Sequence, residues 1–312
     1  MTMHFRDLAD TAAADGLISA AEILALRREC WRDGVIGPEE AEAIFRVNDR
    51  IHLQSAEWTD FFVEALGEFI VHAADPRGYV SDARAEWLLE RLGHDGRLET
   101  MAELELLVRV LEKATNVPER LKACALAAIE EAVAHGTGPT RDGGALQPGR
   151  VTEAETWLLR RAIFAQAGDG PARVSKAEAD MLFRLKDAAL DGENAPDWQR
   201  LFVQGVGNYL TAYAGYAPLS RERAGELETF MADTTSGVGG FMARMARSDV
   251  EGGFAQLWTR SEARDHAALV ARDAEVTTDE NAWLQGRIDA NNQLDAFDKA
   301  LLAFLAEEGV RP

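Results

Sequence analysis

The amino-acid sequence predicts an all-α protein of tandem helical repeats, arranged as two related helical domains and a C-terminal half unit. Three observations carry this reading. Apolar residues recur at helical spacing, as in Leu104, Leu107, Val108 and Leu111, and alternating strand patterns are missing. A short motif returns along the chain: a turn residue, an aliphatic residue, Ser or Thr, and often Glu three residues later. Its copies fall at similar intervals, as expected of a stacked array.

The first copy is Asp15-Gly16-Leu17-Ile18-Ser19 with Glu22. The others are Arg77-Gly78-Tyr79-Val80-Ser81, Gly149-Arg150-Val151-Thr152 with Glu155, Pro218-Leu219-Ser220, and Val276-Thr277 with Glu280. The aliphatic anchors Ile18, Val80, Val151, Leu219 and Val276 are 62, 71, 68 and 57 residues apart. A second anchor follows most of them. Ile36 and Leu98 each come 18 residues on, Val174 with Ser175 and Glu178 comes 23 on, and Leu294 comes 18 on. The fourth unit offers only Val238 in a glycine-rich stretch. Ser or Thr at these positions suits a helix N-cap, and Glu three residues later completes a capping box. The glycine before the anchor suits a turn that needs a permissive backbone.

A longer helix is expected to close each unit. Trp58 and Trp198 open two of these, 140 residues apart, and Ile44-Phe45-Arg46 upstream of one matches Leu182-Phe183-Arg184 upstream of the other. The tryptophans Trp58, Trp87, Trp157, Trp198, Trp258 and Trp283 are read as core positions. The spacing gives a super-repeat of two units: residues 1–137 form one helical domain, 138–149 a Gly- and Pro-rich linker, 150–270 a second domain, and 271–312 the half unit.

Composition narrows function. The chain has 312 residues, 33 Lys plus Arg against 53 Asp plus Glu, and a net charge of −20. That charge opposes duplex nucleic acid and anionic lipid, which call for basic patches. No apolar run is long enough to span a membrane, so no membrane insertion is expected. Cys30 and Cys124 belong to no CxxC pair, and Cys30 beside Trp31 reads as buried packing. The six histidines form no His-x-x-x-His pair. Ser236-Gly237-Val238-Gly239-Gly240 lacks the Lys-Ser/Thr of a phosphate loop. The expectation is a cytoplasmic, non-enzymatic protein that binds an unidentified protein partner.

Two resemblances attach to the motif. Asp-Gly-x-Ile-x-x-x-Glu resembles the second half of an EF-hand loop. The segment Glu68-Phe69-Ile70-Val71-His72-Ala73-Ala74-Asp75, leading to Val80-Ser81, resembles the TerB-type tellurite-resistance helical domain. The TerB likeness implies a helical fold and a stress-associated interaction or scaffold protein. The EF-hand likeness implies, as an alternative, a calcium sensor or buffer.

An EF-hand loop needs oxygen ligands at positions one, three and five and a bidentate acid at twelve. Alignment on Ile18 places Thr11, Ala13, Asp15 and Glu22 there; on Ile36, Glu29, Trp31, Asp33 and Glu40; on Leu98, Arg91, Gly93, Asp95 and Ala102. These loops lack the early ligands. The loop around Leu294 gathers Asp289, Asn291, Asp295 and Asp298, with Arg287 at the first position. It is the candidate metal site, for weak calcium binding on the order of 10⁻⁴ M or poorer.

Overall fold

Several helix starts fall at Ser/Thr-x-x-Glu pairs. The computed structural model describes residues 2–32, 34–52, 54–73, 76–93, 97–141, 148–167, 173–211 and 278–307. Among them are α1 (Thr2–Ala12), α2 (Ala20–Cys30), α3 (Pro38–Arg50), α4 (Ala56–His72), α5 (Asp82–Arg91), α6 (Met101–Lys113) and α7 (Glu119–His135). Then come α8 (Glu153–Ile163), α9 (Lys176–Ala188), α10 (Trp198–Thr211), α11 (Thr278–Ile288) and α12 (Ala296–Glu307). The fold of the described residues is all-α, with an isolated β bridge between Tyr79 and Asn116.

Ser19, Thr152 and Ser175 cap α2, α8 and α9, and Glu22, Glu155 and Glu178 reach back to the cap, closing the box. Thr100 and Glu103 do the same for α6, and Ser55 and Ser81 cap α4 and α5. At α3 the N-cap is Gly37, and only the return half survives: Glu40 accepts the Gly37 N–H at 3.1 Å. From α2 onward the helix lengths run 11, 13 and 17, then 10, 13 and 17, then 11, 13 and 14 residues.

The loop before each short helix is tied to the loop before the following long one. His52 N–H donates to the Gly16 carbonyl at 2.9 Å, Thr115 N–H to Gly78 at 2.8 Å, and Ala195 N–H to Val151 at 2.8 Å. Gly78 makes this approach possible. Its φ is +85°, and a Cβ there would stand 2.7 Å from Thr115 Oγ1.

The anchors Ile36, Val80, Leu98, Val151 and Val174 are buried, Ile18 is half-buried, and Leu294 is exposed. Phe45 meets the Phe62 and Trp87 rings at 5.4 and 5.7 Å, joining α3 to α4 and α5. Phe183 meets Phe202 at 5.1 Å, joining α9 to α10. Trp58 and Trp198 are fully buried, and Trp58 Nε1 donates to buried Asn48 at 3.0 Å. Trp157 departs from the expected core role. It is 54 % exposed and covers the Arg161 guanidinium, 4.0 Å from the ring centre, because that cation is held beside it by Glu105 and Glu112.

Two compact units are distinguished, Met1–Gly205 and Val206–Pro312. In the first, α8 packs on α6 and α7, and α9 packs on α7. Part of the Gly- and Pro-rich segment is anchored here, since Pro139–Arg141 forms a buried 3-10 turn. In the second unit, Gly207 lies against the Phe304 ring and Tyr209 meets Trp283 edge-on at 5.0 Å. Leu219, Ser220, Val238, Trp258, Val276 and Thr277 lie outside the described residues, as do the turn residues Asp33 and Asp95.

Candidate functional site

The acidic loop between α11 and α12 uses its oxygens on its own backbone. Asp289–Asn291 is a 3-10 turn, and Asn292 takes a left-handed conformation at φ 57°. Asp295 Oδ1 accepts the N–H groups of Phe297 and Asp298 at 2.8 and 3.0 Å, as an N-cap does. Asp298, fully buried, accepts the Asp295 N–H at 3.2 Å in return. Asn291 donates to Asp295 at 3.2 Å and accepts from Gln293 N–H at 3.1 Å, and Asp289 accepts from Gln285 at 3.3 Å. The four residues therefore sit in one turn but serve as a capping network. Among the described residues, no group of three or more His, Cys, Asp or Glu side chains is placed to hold a metal ion.

Convergence of another kind occurs between α7 and α9. A groove of about 400 Å³ separates these helices in the first unit. Leu126, Met181 and Val117 form its apolar part, and Ala123, Ala127 and Ala177 keep its walls low. Two ion pairs cross it. Lys122 Nζ lies 2.6 Å from Glu178 Oε1, with both side chains almost wholly buried. Arg184 grips Glu130 at 2.5 and 2.9 Å in a two-point contact. The other Glu178 oxygen accepts Ser175 N–H at 2.7 Å, so one carboxylate caps α9 and anchors α7. Oε1 is paired with the Lys122 ammonium and shut off from solvent. Glu119, exposed, stands at the groove mouth.

Counting along helices of equal length shows where the α7–α9 pair differs from the α4–α6 pair. Taken in order, Glu130 of α7 corresponds to Gly67 of α4, and Arg184 of α9 to Arg109 of α6. α4 packs along α6, and a Cβ at Gly67 would meet the Arg109 stem at 3.5 Å, an ordinary van der Waals contact. Glu130 brings a carboxylate to that position, and the ion pair needs more room between the helices than a glycine contact does. Lys122 stands where α4 has Thr59. Sequence reasoning identified Ser175 and Glu178 only as a cap. Arg184 entered the sequence reading only through its likeness to Arg46, and Lys122 and Glu130 did not enter it; the contrast between Gly67 and Glu130 in helices of equal length was the available signal.

Three further clusters border this region. A cavity of about 840 Å³ lies across α7, lined by Leu92, Leu98, Ala128 and Cys124 among others, and burial pushes the Cys124 thiol pKa up. Arg141, fully buried, donates from Nη2 to Glu155 at 3.0 Å and to the Arg150 carbonyl at 2.7 Å. Its Nε lies 2.9 Å from Glu155 Oε1, and Thr140 donates to the same oxygen at 2.7 Å. At the α6–α8 contact Arg161 bridges Glu105 and Glu112 at 2.5 and 2.7 Å. Burial holds the Glu105 carboxyl above its usual pKa, and the hydrogen bond from Arg161 opposes that shift.

No protein-family model, curated protein or solved structure matches the chain. No helix among the described residues is long and apolar enough to cross a membrane.

Proposed function

We propose that the chain is a non-enzymatic interaction protein, a cytoplasmic scaffold or stress-associated module of TerB-like type, whose tandem helical units present the α7–α9 groove to a protein partner. The observation that carries this reading is the pair of ion pairs, Lys122–Glu178 and Glu130–Arg184, standing where a close helix contact would otherwise form. Ion pairs that replace packing surrender apolar burial worth about 25 cal/mol per Å². Such a loss is easier to understand when the opened surface has a use. The groove's volume lies in the range of about 300–1,000 Å³ typical of ligand sites, and helix-lined grooves are a recurring mode of peptide recognition. The net charge of −20 supports a protein rather than a nucleic acid partner.

The test compares purified complexes of the full chain with those of two variants. Ala177→Trp fills the groove from an exposed helix position, and Ala128→Trp places the same bulk in the neighbouring cavity. A partner identified by mass spectrometry should leave with Ala177→Trp and remain with Ala128→Trp, with melting curves confirming that both variants fold. A partner set unchanged by Ala177→Trp would refute the groove as the docking surface.

A further inference from the structure

Resting on that reading of the groove, we infer that its occupant is a basic amphipathic helix of a partner protein, with an apolar side chain seated on Leu126 and Met181 and a Lys or Arg directed at Glu119. The charge inventory of the walls points to this chemistry. Lys122 cancels Glu178 and Arg184 cancels Glu130, so the two crossing pairs contribute no net charge. Glu119 remains as one exposed carboxylate at the mouth. Glu178 is almost wholly buried. Its Oε1 lies 2.6 Å from Lys122 Nζ and is shut off from solvent, so this carboxylate is already matched within the wall and Glu119 is the charge left for an occupant. An acidic occupant would bring a carboxylate toward Glu119 and toward a chain of net charge −20.

The shape agrees with the chemistry. About 400 Å³ holds one or two large apolar side chains rather than a folded domain. The low alanine walls, Ala123 and Ala127 on α7 and Ala177 on α9, allow a third helix to approach between the two. The long-range field of the chain would steer a cationic segment toward it and make association salt-dependent.

Three synthetic amphipathic helices with one leucine pattern serve as probes, their polar faces made of Lys, Gln or Glu. Binding to the full chain is followed by fluorescence anisotropy in physiological salt, which screens diffuse attraction. The Lys peptide should bind saturably and more tightly than the Gln peptide, and the Glu peptide most weakly. Glu119→Gln should weaken the Lys peptide about threefold, the size of an exposed charge pair. Ala177→Trp should abolish saturable binding, and Ala128→Trp should leave it unchanged. Equal binding of the Gln and Lys peptides, both lost in Ala177→Trp, would overturn the basic partner while leaving the groove as a docking surface. Lys-peptide binding that survives Ala177→Trp would overturn both. Failure of all three peptides to bind would overturn the inference about the occupant, and the comparison of purified complexes would still judge the groove.

Discussion

Glu155 and Glu22 occupy the same place in their helices, yet replacing them with alanine should have very different consequences. Each completes a capping box: Glu22 accepts Ser19 N–H at 2.8 Å, and Glu155 accepts Thr152 N–H at 2.8 Å. Glu22 does little else and is half-exposed, so Glu22→Ala should cost about 1 kcal/mol, the usual size of a cap. Glu155 is fully buried and also neutralises the fully buried Arg141. Removing one partner of a buried pair costs about 3–5 kcal/mol, because the remaining charge is stranded. Adding the cap gives about 4–6 kcal/mol for Glu155→Ala. For a unit of this size about 1 kcal/mol moves the melting temperature 2–4 °C, so the expected drop is on the order of 10–20 °C, against a few degrees for Glu22→Ala. Circular dichroism at 222 nm, read as about the standard helix signal, follows both transitions. Adding Arg141→Met to Glu155→Ala should recover part of the loss, since the stranded cation is then gone. Equal losses for the two single variants, or no recovery in the double variant, would show that the Arg141–Glu155 pair does not hold this turn to α8.

Three other outcomes follow from the geometry. Gly78→Ala should cost more than Gly34→Ala: both have positive φ, of 85° and 81°, but only Gly78 has a neighbour in the way, so chemical denaturation should separate about 1 kcal/mol of backbone strain at Gly34 from strain plus steric clash at Gly78. Glu105→Gln should gain stability relative to the parent as pH rises. A carboxyl whose folded pKa is raised contributes stability below its unfolded value, near 4.5, and loses it as pH climbs through the folded value, so the melting difference should grow from that pH toward neutrality; a flat difference would refute it. Calcium should give no saturable heat stronger than about 10⁻⁴ M in titration calorimetry, and a micromolar isotherm abolished by Asp289→Ala with Asp298→Ala would refute the capping account of that loop.

What the sequence disclosed was mostly local. Ser19, Thr152 and Ser175 were legible as caps because a capping box is a four-residue event whose partners are adjacent in the chain. The glycines before the anchors were legible because a left-handed turn restricts residue type. The buried role of Arg141 was not, since Arg in a Gly- and Pro-rich stretch reads as exposed linker. Its partner Glu155 lies 14 residues away, and only the folding of the 3-10 turn against α8 joins them. Trp157 misled for a related reason. An aromatic residue at a recurring position suggests core, but at this one the ring's partner is a cation held at the helix surface. The α7–α9 groove was the least visible, because it depends on a difference between two helix pairs rather than on a motif in either.

That difference also bears on how helix pairs of matching length can diverge. The 17-residue helices α4 and α7 share a length and both end at His, and the 13-residue helices α6 and α9 share a length and a capping box. The caps of α4 and α7 differ, Ser55 against Pro118 at the N-terminus, but a cap acts at a helix end and not at the crossing. The difference lies in side chains at a few crossing positions, where α4 sets Gly67 beside Arg109 and α7 sets Glu130 in an ion pair with Arg184. Caps act within one helix, and loop ties such as Thr115 to Gly78 lie at the helix ends. Neither opposes a change at mid-helix. A helix pair built in this way can hold a groove without losing its helices, because the interactions that define the helices are separate from those that set the distance between them.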